Sequence, residues 1–253
     1  MTGKDLFSSL ETAISAARAA GDLLRKSGAN GRVISSEAGR DVKIAADVQA
    51  ESVIIGQLQG ASRCAILSEE RGEIAGTDGT ALRWIIDPLD GTFNFLRGIP
   101  FCAVSIALWR ADEPLVGVVH DFGRDETFSG IVGQGAWVDG ESISVSPIRP
   151  RHASVLCGGL PVSDDFSEES VGRLVRQFRD YKKFRLLGSA ALSLAYVASG
   201  RADAYHERNI KLWDVAAGLA IVKAAGGEIA IEPSSRPEVI TVHAANARAT
   251  WPD

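Results

Sequence analysis

Cysteine is scarce. Cys64, Cys102 and Cys157 are the three in 253 residues, odd in number, far apart and without a Cys-x-x-Cys pair. That argues against a disulfide framework and a cysteine zinc site, and predicts reduced thiols in the core. No apolar run is long enough to span a bilayer, and Met-Thr-Gly-Lys-Asp-Leu-Phe-Ser-Ser-Leu at the start has no apolar signal core. Basic charge is not in excess: the net charge is -5, which leaves no broad positive field for nucleic acid or an anionic membrane. These absences predict a cytoplasmic protein whose main partner is neither nucleic acid nor membrane. A Gly-x-x-x-x-Gly-Lys-Ser/Thr loop is missing, so nothing supports use of a nucleoside triphosphate. No Ser/His/Asp or Cys/His arrangement is visible, and His120, His152, His206 and His243 fall outside any motif.

What is present suits a soluble globular protein. At 45% hydrophobic and 23% charged the chain can bury a sizeable core, as one large domain or two tightly joined halves. From Asp5 to Lys26 apolar residues recur at helical spacing (Leu6, Leu10, Ala13, Ile14, Ala17, Ala20, Leu24), with Gly28 as a stop. A loop to Arg40 follows, then a helix for which Asp47 is placed as N-cap. Arg63 to Leu67 reads as a strand ending in the acidic Ser68-Glu69-Glu70. Phe101–Trp109, Leu115–His120, Glu126–Ile131 and Ser142–Val145 read as strands, with Asp139-Gly140 as a hairpin signal; short links imply antiparallel pairing. His120 and Asp121, at a strand end, read as structural. Beyond residue 148 strand and helix alternate: strands at 153–157, 183–187, 202–206, 228–231 and 238–244, helices at 167–181, 189–198 and 215–225. The expected class is α/β, with an α+β half over 1–148 and an α/β half over 149–253.

The most informative stretch is Trp84-Ile85-Ile86-Asp87-Pro88-Leu89-Asp90-Gly91-Thr92-Phe93-Asn94-Phe95. Three apolar residues predict a buried strand, and Asp87 to Gly91 a turn carrying two carboxylates. Pro88 presets φ and Gly91 allows close backbone approach, so the segment is rigid. Thr92 can open a short helix whose N–H groups face the side of the carboxylates, a pairing suited to a metal-bridged phosphate. The Asp-Pro-x-Asp-Gly core alone is also a good turn. The full string, however, resembles the signature of the inositol monophosphatase family of magnesium-dependent phosphatases. Leu212-Trp213-Asp214-Val215-Ala216-Ala217-Gly218 resembles that family's second signature. Taken alone, Asp214 is a helix N-cap.

The resemblance runs from about Asp41 to Ala245 and implies a layered αβαβα architecture, a homodimer and a Mg²⁺ cofactor. It implies that Glu69, Asp87 and the Leu89 carbonyl bind one Mg²⁺, that Asp87, Asp90 and Asp214 bind a second, and that Asp47 and Glu70 stand near an outer cation. Gly91 and Thr92 would hold phosphate, while Glu69 and Thr92 orient the attacking water. Gly188-Ser189-Ala190 and Glu207 would contact the substrate with Asp90. Four carboxylates brought together repel one another without cations. The implied reaction is hydrolysis of a small phosphorylated polyol, inositol monophosphate first. Fructose 1,6-bisphosphate, a 3′,5′-bisphosphonucleotide or histidinol phosphate are alternatives, and so is a regulatory protein that has kept the fold without catalysis.

Overall fold

The computed structural model describes residues 3–27, 34–38, 41–160, 167–234, 239–247 and 251. Gly28 and Arg40 lie outside them, as does Glu238 at the start of the last expected strand. The described chain stacks in five layers, α-β-α-β-α. Helices α1 (Gly3–Ser27) and α2 (Ala45–Ala61) pack together on the outer face of an eight-stranded sheet. That face of α1 is made of small residues, Ala13, Ala16, Ala17, Ala20 and Gly21, bounded by Leu10 and Leu24, so the helix lies close to the strands. Packing of this kind rather than helix propensity holds such an element in place.

The sheet contains β3 (Ala65–Ser68), β4 (Gly72–Ile74), β5 (Leu82–Asp90), β6 (Ala103–Arg110), β7 (Glu113–Asp121), β8 (Glu126–Ile131), β9 (Gly135–Val138) and β10 (Glu141–Ile143). Its order is β10-β9-β8-β7-β6-β5-β3-β4, with the β3–β5 pair parallel and the others antiparallel. Short helix α3 (Thr92–Arg97) follows β5. A small hairpin of β1 (Ile34–Ala38) and β2 (Asp41–Ile44) stands apart, where the sequence predicts a loop. Strands β4 and β9 also lie where the sequence predicts no strand; with three and four residues they are too short to show alternation. Asp139 and Gly140 do form the β9–β10 turn, both at positive φ (48° and 87°).

The second sheet, ordered β12-β11-β13-β15-β14, comprises β11 (Val155–Gly158), β12 (Lys183–Leu186), β13 (Ala204–Ile210), β14 (Glu228–Pro233) and β15 (Ile240–Ala245). Helix α4 (Glu168–Arg179) covers its outer side, with Phe178 stacked on Phe184. Between the sheets lie α5 (Ala190–Ala198) and α6 (Leu212–Ala224), apolar on all sides because both flanks are buried.

Paired glycines seat α6. Gly117 and Gly130 face each other across β7 and β8. A Cβ on Gly117 would stand 2.2 Å from the Ala217 carbonyl oxygen, and one on Gly130 2.9 Å from Ala224 Cβ. The helix backbone thus rests directly on the sheet, which fixes the height of its first turn and of Asp214. Of the cysteines, Cys102 and Cys157 are buried and free as expected, and burial pushes the Cys157 thiol up to about 12; Cys64 is free but only partly buried, outside the core proper.

Gly117→Ala should therefore lower stability by at least about 1–3 kcal/mol, because the obstacle is backbone. Gly56→Ala, in the exposed middle of α2 with nothing within 4 Å of the new methyl, should raise it by about 0.5–1 kcal/mol. Urea unfolding of both variants checks the pair; equal effects would contradict the packing described.

Candidate active site

Strand β5 does not end at Ile86. It continues to Asp90, and its register against β6 shifts between Asp87, opposite Ser105, and Asp90, opposite Ala103. Three residues on β5 thus span two on β6, a bulge at Pro88-Leu89, where the sequence predicts a turn. In a regular strand residues three apart point to opposite faces. The extra residue restores the phase, so Asp87 and Asp90 both turn toward the α5–α6 layer, the side on which Ile85 and Ala103 are also buried. Pro88 suits a bulge because it has no N–H to offer the ladder.

Parallel pairing brings the next carboxylate. Ser68, the last residue of β3, lies opposite Ile86, so Glu69 emerges at the same end of the sheet as Asp87. The Glu69 N–H donates to the Ile86 carbonyl at 3.3 Å, and the Glu69 carboxylate stands close enough to Asp87 for its charge to push that group's pKa up. Glu70 sits beside it in the β3–β4 turn, partly exposed. Asp214 comes from α6, but not as N-cap: the helix begins at Leu212 with Lys211 as cap, and Asp214 lies in the first turn. Asp47 departs from expectation in the same way. Ile44 is the cap of α2, and Asp47 Oδ2 reaches back to its N–H at 3.0 Å. An Asp at the third helical position satisfies an orphan donor as a capping-box carboxylate does.

Asp90 is buried and engaged by the start of α5. It accepts from the Ser189 hydroxyl, from Ala191 N at 2.9 Å and from Ala190 N at 3.3 Å. Ser189 is the N-cap of α5, one residue before the helix proper, where the sequence predicts the helix to begin. Gly91 caps α3 at φ +85°; a Cβ there would meet the Phe101 carbonyl at 2.7 Å and that of Gly188 at 3.1 Å. Thr92 Oγ1 donates to the Leu89 carbonyl at 2.9 Å, and Asp87 Oδ1 accepts the Leu89 N–H at 2.9 Å.

Two supporting residues escape sequence reasoning. Asn94 Nδ2 donates to the carbonyls of Phe101 and Leu187, each at 2.8 Å, tying α3 to the link before α5. Tyr205 is buried and donates to Glu207 Oε2 at 2.7 Å. Strand periodicity could have revealed the second pair, since residues two apart share a face; no local signal reveals the reach of Asn94. Gly159 makes room for Glu207, because any Cβ there would lie 2.2 Å from its carboxylate.

Burial holds Asp87 well above the ordinary carboxylate range, and the negative charges of Glu69, Asp90 and Asp214 push it further. Asp214 is raised likewise, by burial first and then by Glu69, Asp90 and Glu207. Burial lifts Asp90 to about 6 despite the Ser189, Ala191 and Ala190 donors that favour its ionised form. Glu207 is lifted to about 7, again chiefly by burial, with the Tyr205 hydrogen bond opposing and Asp90 adding. The largest charges acting on Asp87 and Asp214 are all negative, and every donor atom is oxygen. That chemistry fits a hard divalent cation. The sequence predicts that these carboxylates converge; they come within electrostatic reach, but among the described residues no three form a ready-made ligand cage. Asp90 is turned into the α5 N-terminus instead.

Comparison with known proteins agrees with this architecture. The profile of the inositol monophosphatase family matches residues 5–249. The chain belongs to that family. Among its relatives are Nus factor SuhB of Escherichia coli strain K12, 38% identical over 222 residues (86% of this chain, 83% of the relative). Inositol-1-monophosphatase of Mesorhizobium japonicum is 40% identical over 184 residues (72% and 69%). The crystal structure of extragenic suppressor protein suhB from Bartonella henselae superposes with a TM-score of 0.86 at 34% identity, covering 94% of both chains. Membership of the inositol monophosphatase family carries a phosphatase fold, a small phosphorylated substrate and a general dependence on metal, Mg²⁺ in most members.

The raised Glu207 pKa has a definite sign. The folded state holds its proton to about pH 7 while the unfolded chain releases it near pH 4.5, so this group's contribution to stability falls as pH rises through that window. In chelator, Glu207→Gln should gain on the parent by about 2 kcal/mol between pH 5 and pH 8, after discounting for partial exposure. Parallel unfolding curves at both pH values would refute it.

Proposed function

We propose that the chain is a Mg²⁺-dependent phosphomonoesterase acting on a small phosphorylated polyol, inositol monophosphate first. The observation that carries this reading is the gathering of Glu69, Asp87, Asp90 and Asp214, mutually repelling, at the ends of β3, β5 and α6. Buried carboxylates without a cationic partner destabilise a fold, and a cation-binding role accounts for their presence. Glu69, Asp87 and the Leu89 carbonyl would hold one Mg²⁺, Asp87, Asp90 and Asp214 a second, with Asp47 and Glu70 toward an outer cation. Bound there, Mg²⁺ lowers the pKa of a water and neutralises charge on the phosphate oxygens.

The protein's own residues do the rest. Glu69 accepts a hydrogen bond from the attacking water, and the Thr92 hydroxyl, fixed by its contact with Leu89, helps to orient it. The Gly91 and Thr92 N–H groups hold the phosphate. Glu207 accepts from hydroxyls of the polyol, since a carboxylate offers acceptors on both oxygens, and Gly188, Ser189 and Ala190 wall the pocket beside Asp90. The working unit is taken as a cytoplasmic homodimer. The relatives' names divide between a Nus factor and an inositol phosphatase; the retained carboxylates favour the enzyme.

Phosphate release should be Mg²⁺-dependent, chelator-sensitive and fastest with inositol 1-phosphate in a panel containing fructose 1,6-bisphosphate, a 3′,5′-bisphosphonucleotide, histidinol phosphate and glycerol 2-phosphate. Asp90→Asn should slow it at least a hundredfold, roughly 3 kcal/mol of transition-state stabilisation. A different leading substrate would move the specificity. Silence across the panel with cation binding intact would favour a non-catalytic protein, and near-normal turnover of the variant would remove Asp90 from the site.

A further inference from the structure

Glu51 is fully buried, a charged side chain in the middle of α2 that none of the roles above uses. Its carboxylate crosses to the β3–β4 turn. There Oε1 accepts from the Ser68 hydroxyl and from the Arg71 N–H at 3.0 Å. Arg71 Nε stands 2.8 Å from Oε2, an ionic contact without hydrogen-bond alignment, and its Nη2 continues to Ser52 Oγ at 2.6 Å. The residues so held, Ser68 and Arg71, bracket Glu69 and Glu70. A buried carboxylate with two hydrogen bonds and an arginine is fixed more firmly than a surface ion pair, because in a poorly solvated site each bond is stronger.

From this geometry we infer that Glu51 is a positioning residue for Glu69. Glu69 projects from a turn clamped on both sides, and on its other flank it meets Asp87 through its side chain and Ile86 through its N–H. The clamp sets where the Glu69 carboxylate stands relative to Asp87. It thereby tunes the cation site without touching cation or substrate, as outer partners of metal ligands do. The inference rests on the phosphatase reading and concerns how that site is built.

The test uses the full chain, Glu51→Gln and Arg71→Lys. Glu51→Gln keeps an acceptor for Ser68 but loses the charge; Arg71→Lys keeps a charge but loses the planar fork, and its half-exposed position protects folding. In chelator, hydrogen exchange at the Glu69 and Glu70 amides should quicken roughly tenfold in Glu51→Gln relative to amides of α1. Mn²⁺ affinity, read from the free-ion paramagnetic resonance signal, should weaken about tenfold to a hundredfold. The Mg²⁺ concentration for half-maximal phosphate release from inositol 1-phosphate should rise in step, with Arg71→Lys intermediate. If the variants melt earlier yet bind Mn²⁺ and respond to Mg²⁺ like the parent, Glu51 is only structural and the inference is overturned. If the parent itself neither binds Mn²⁺ nor releases phosphate, the phosphatase reading fails first and takes this one with it.

Discussion

The arrangement of the site depends on one extra residue in β5. Without the bulge at Pro88-Leu89, Asp87 and Asp90 would alternate, one toward α5 and α6 and the other toward α1 and α2. With it, both carboxylates face the inner layer. There Asp90 meets the N-terminus of α5, and Asp87 lies within the field of Glu69 and Asp214. Everything brought to the site from elsewhere is placed relative to this kink: Glu69 by parallel pairing with β5, Asp214 by the seating of α6, and Glu207 by a strand of the second sheet whose inner face meets the same helices.

That convergence concentrates negative charge where water is scarce. The protein tolerates it through features that are structural in origin. Asp90 is satisfied by the N–H groups and cap hydroxyl of α5, which favour an anion there. Asp47 closes the first turn of its own helix. Glycines keep neighbouring backbone out of the way, at Gly91 beneath α3, at Gly117 beneath α6 and at Gly159 beside Glu207. The fold therefore gathers its acids at the expense of some stability.

Much of this was legible in the chain. The acidic pair after β3 and the Gly-Ser-Ala at the start of α5 lie in the elements expected, because apolar periodicity and capping chemistry are local properties; the acids of the first signature instead extend β5, and Asp214 lies within α6. The misses are also consistent. The sequence places the starts of α2 and α6 late, at Asp47 and Asp214, because an Asp at the third helical position and one at the cap look alike in sequence, and only backbone dihedrals separate them. Strand β1 has no apolar alternation, and β2, β4 and β9, of three or four residues each, are too short for alternation to mark them.

By itself, then, the sequence determined which acids, glycines and caps are available and near which strand or helix end each falls, since those follow from the preferences of a few neighbouring residues. The tertiary structure alone decided their direction and company: the phase of Asp87 and Asp90, the turning of Asp90 into α5, the reach of Asn94 to Leu187, the Tyr205–Glu207 bond and the hold of Glu51 on Arg71. Each of these depends on the register of paired strands or on contacts between segments distant in the chain. Such contacts are settled by the packing of whole layers, and no local preference encodes them.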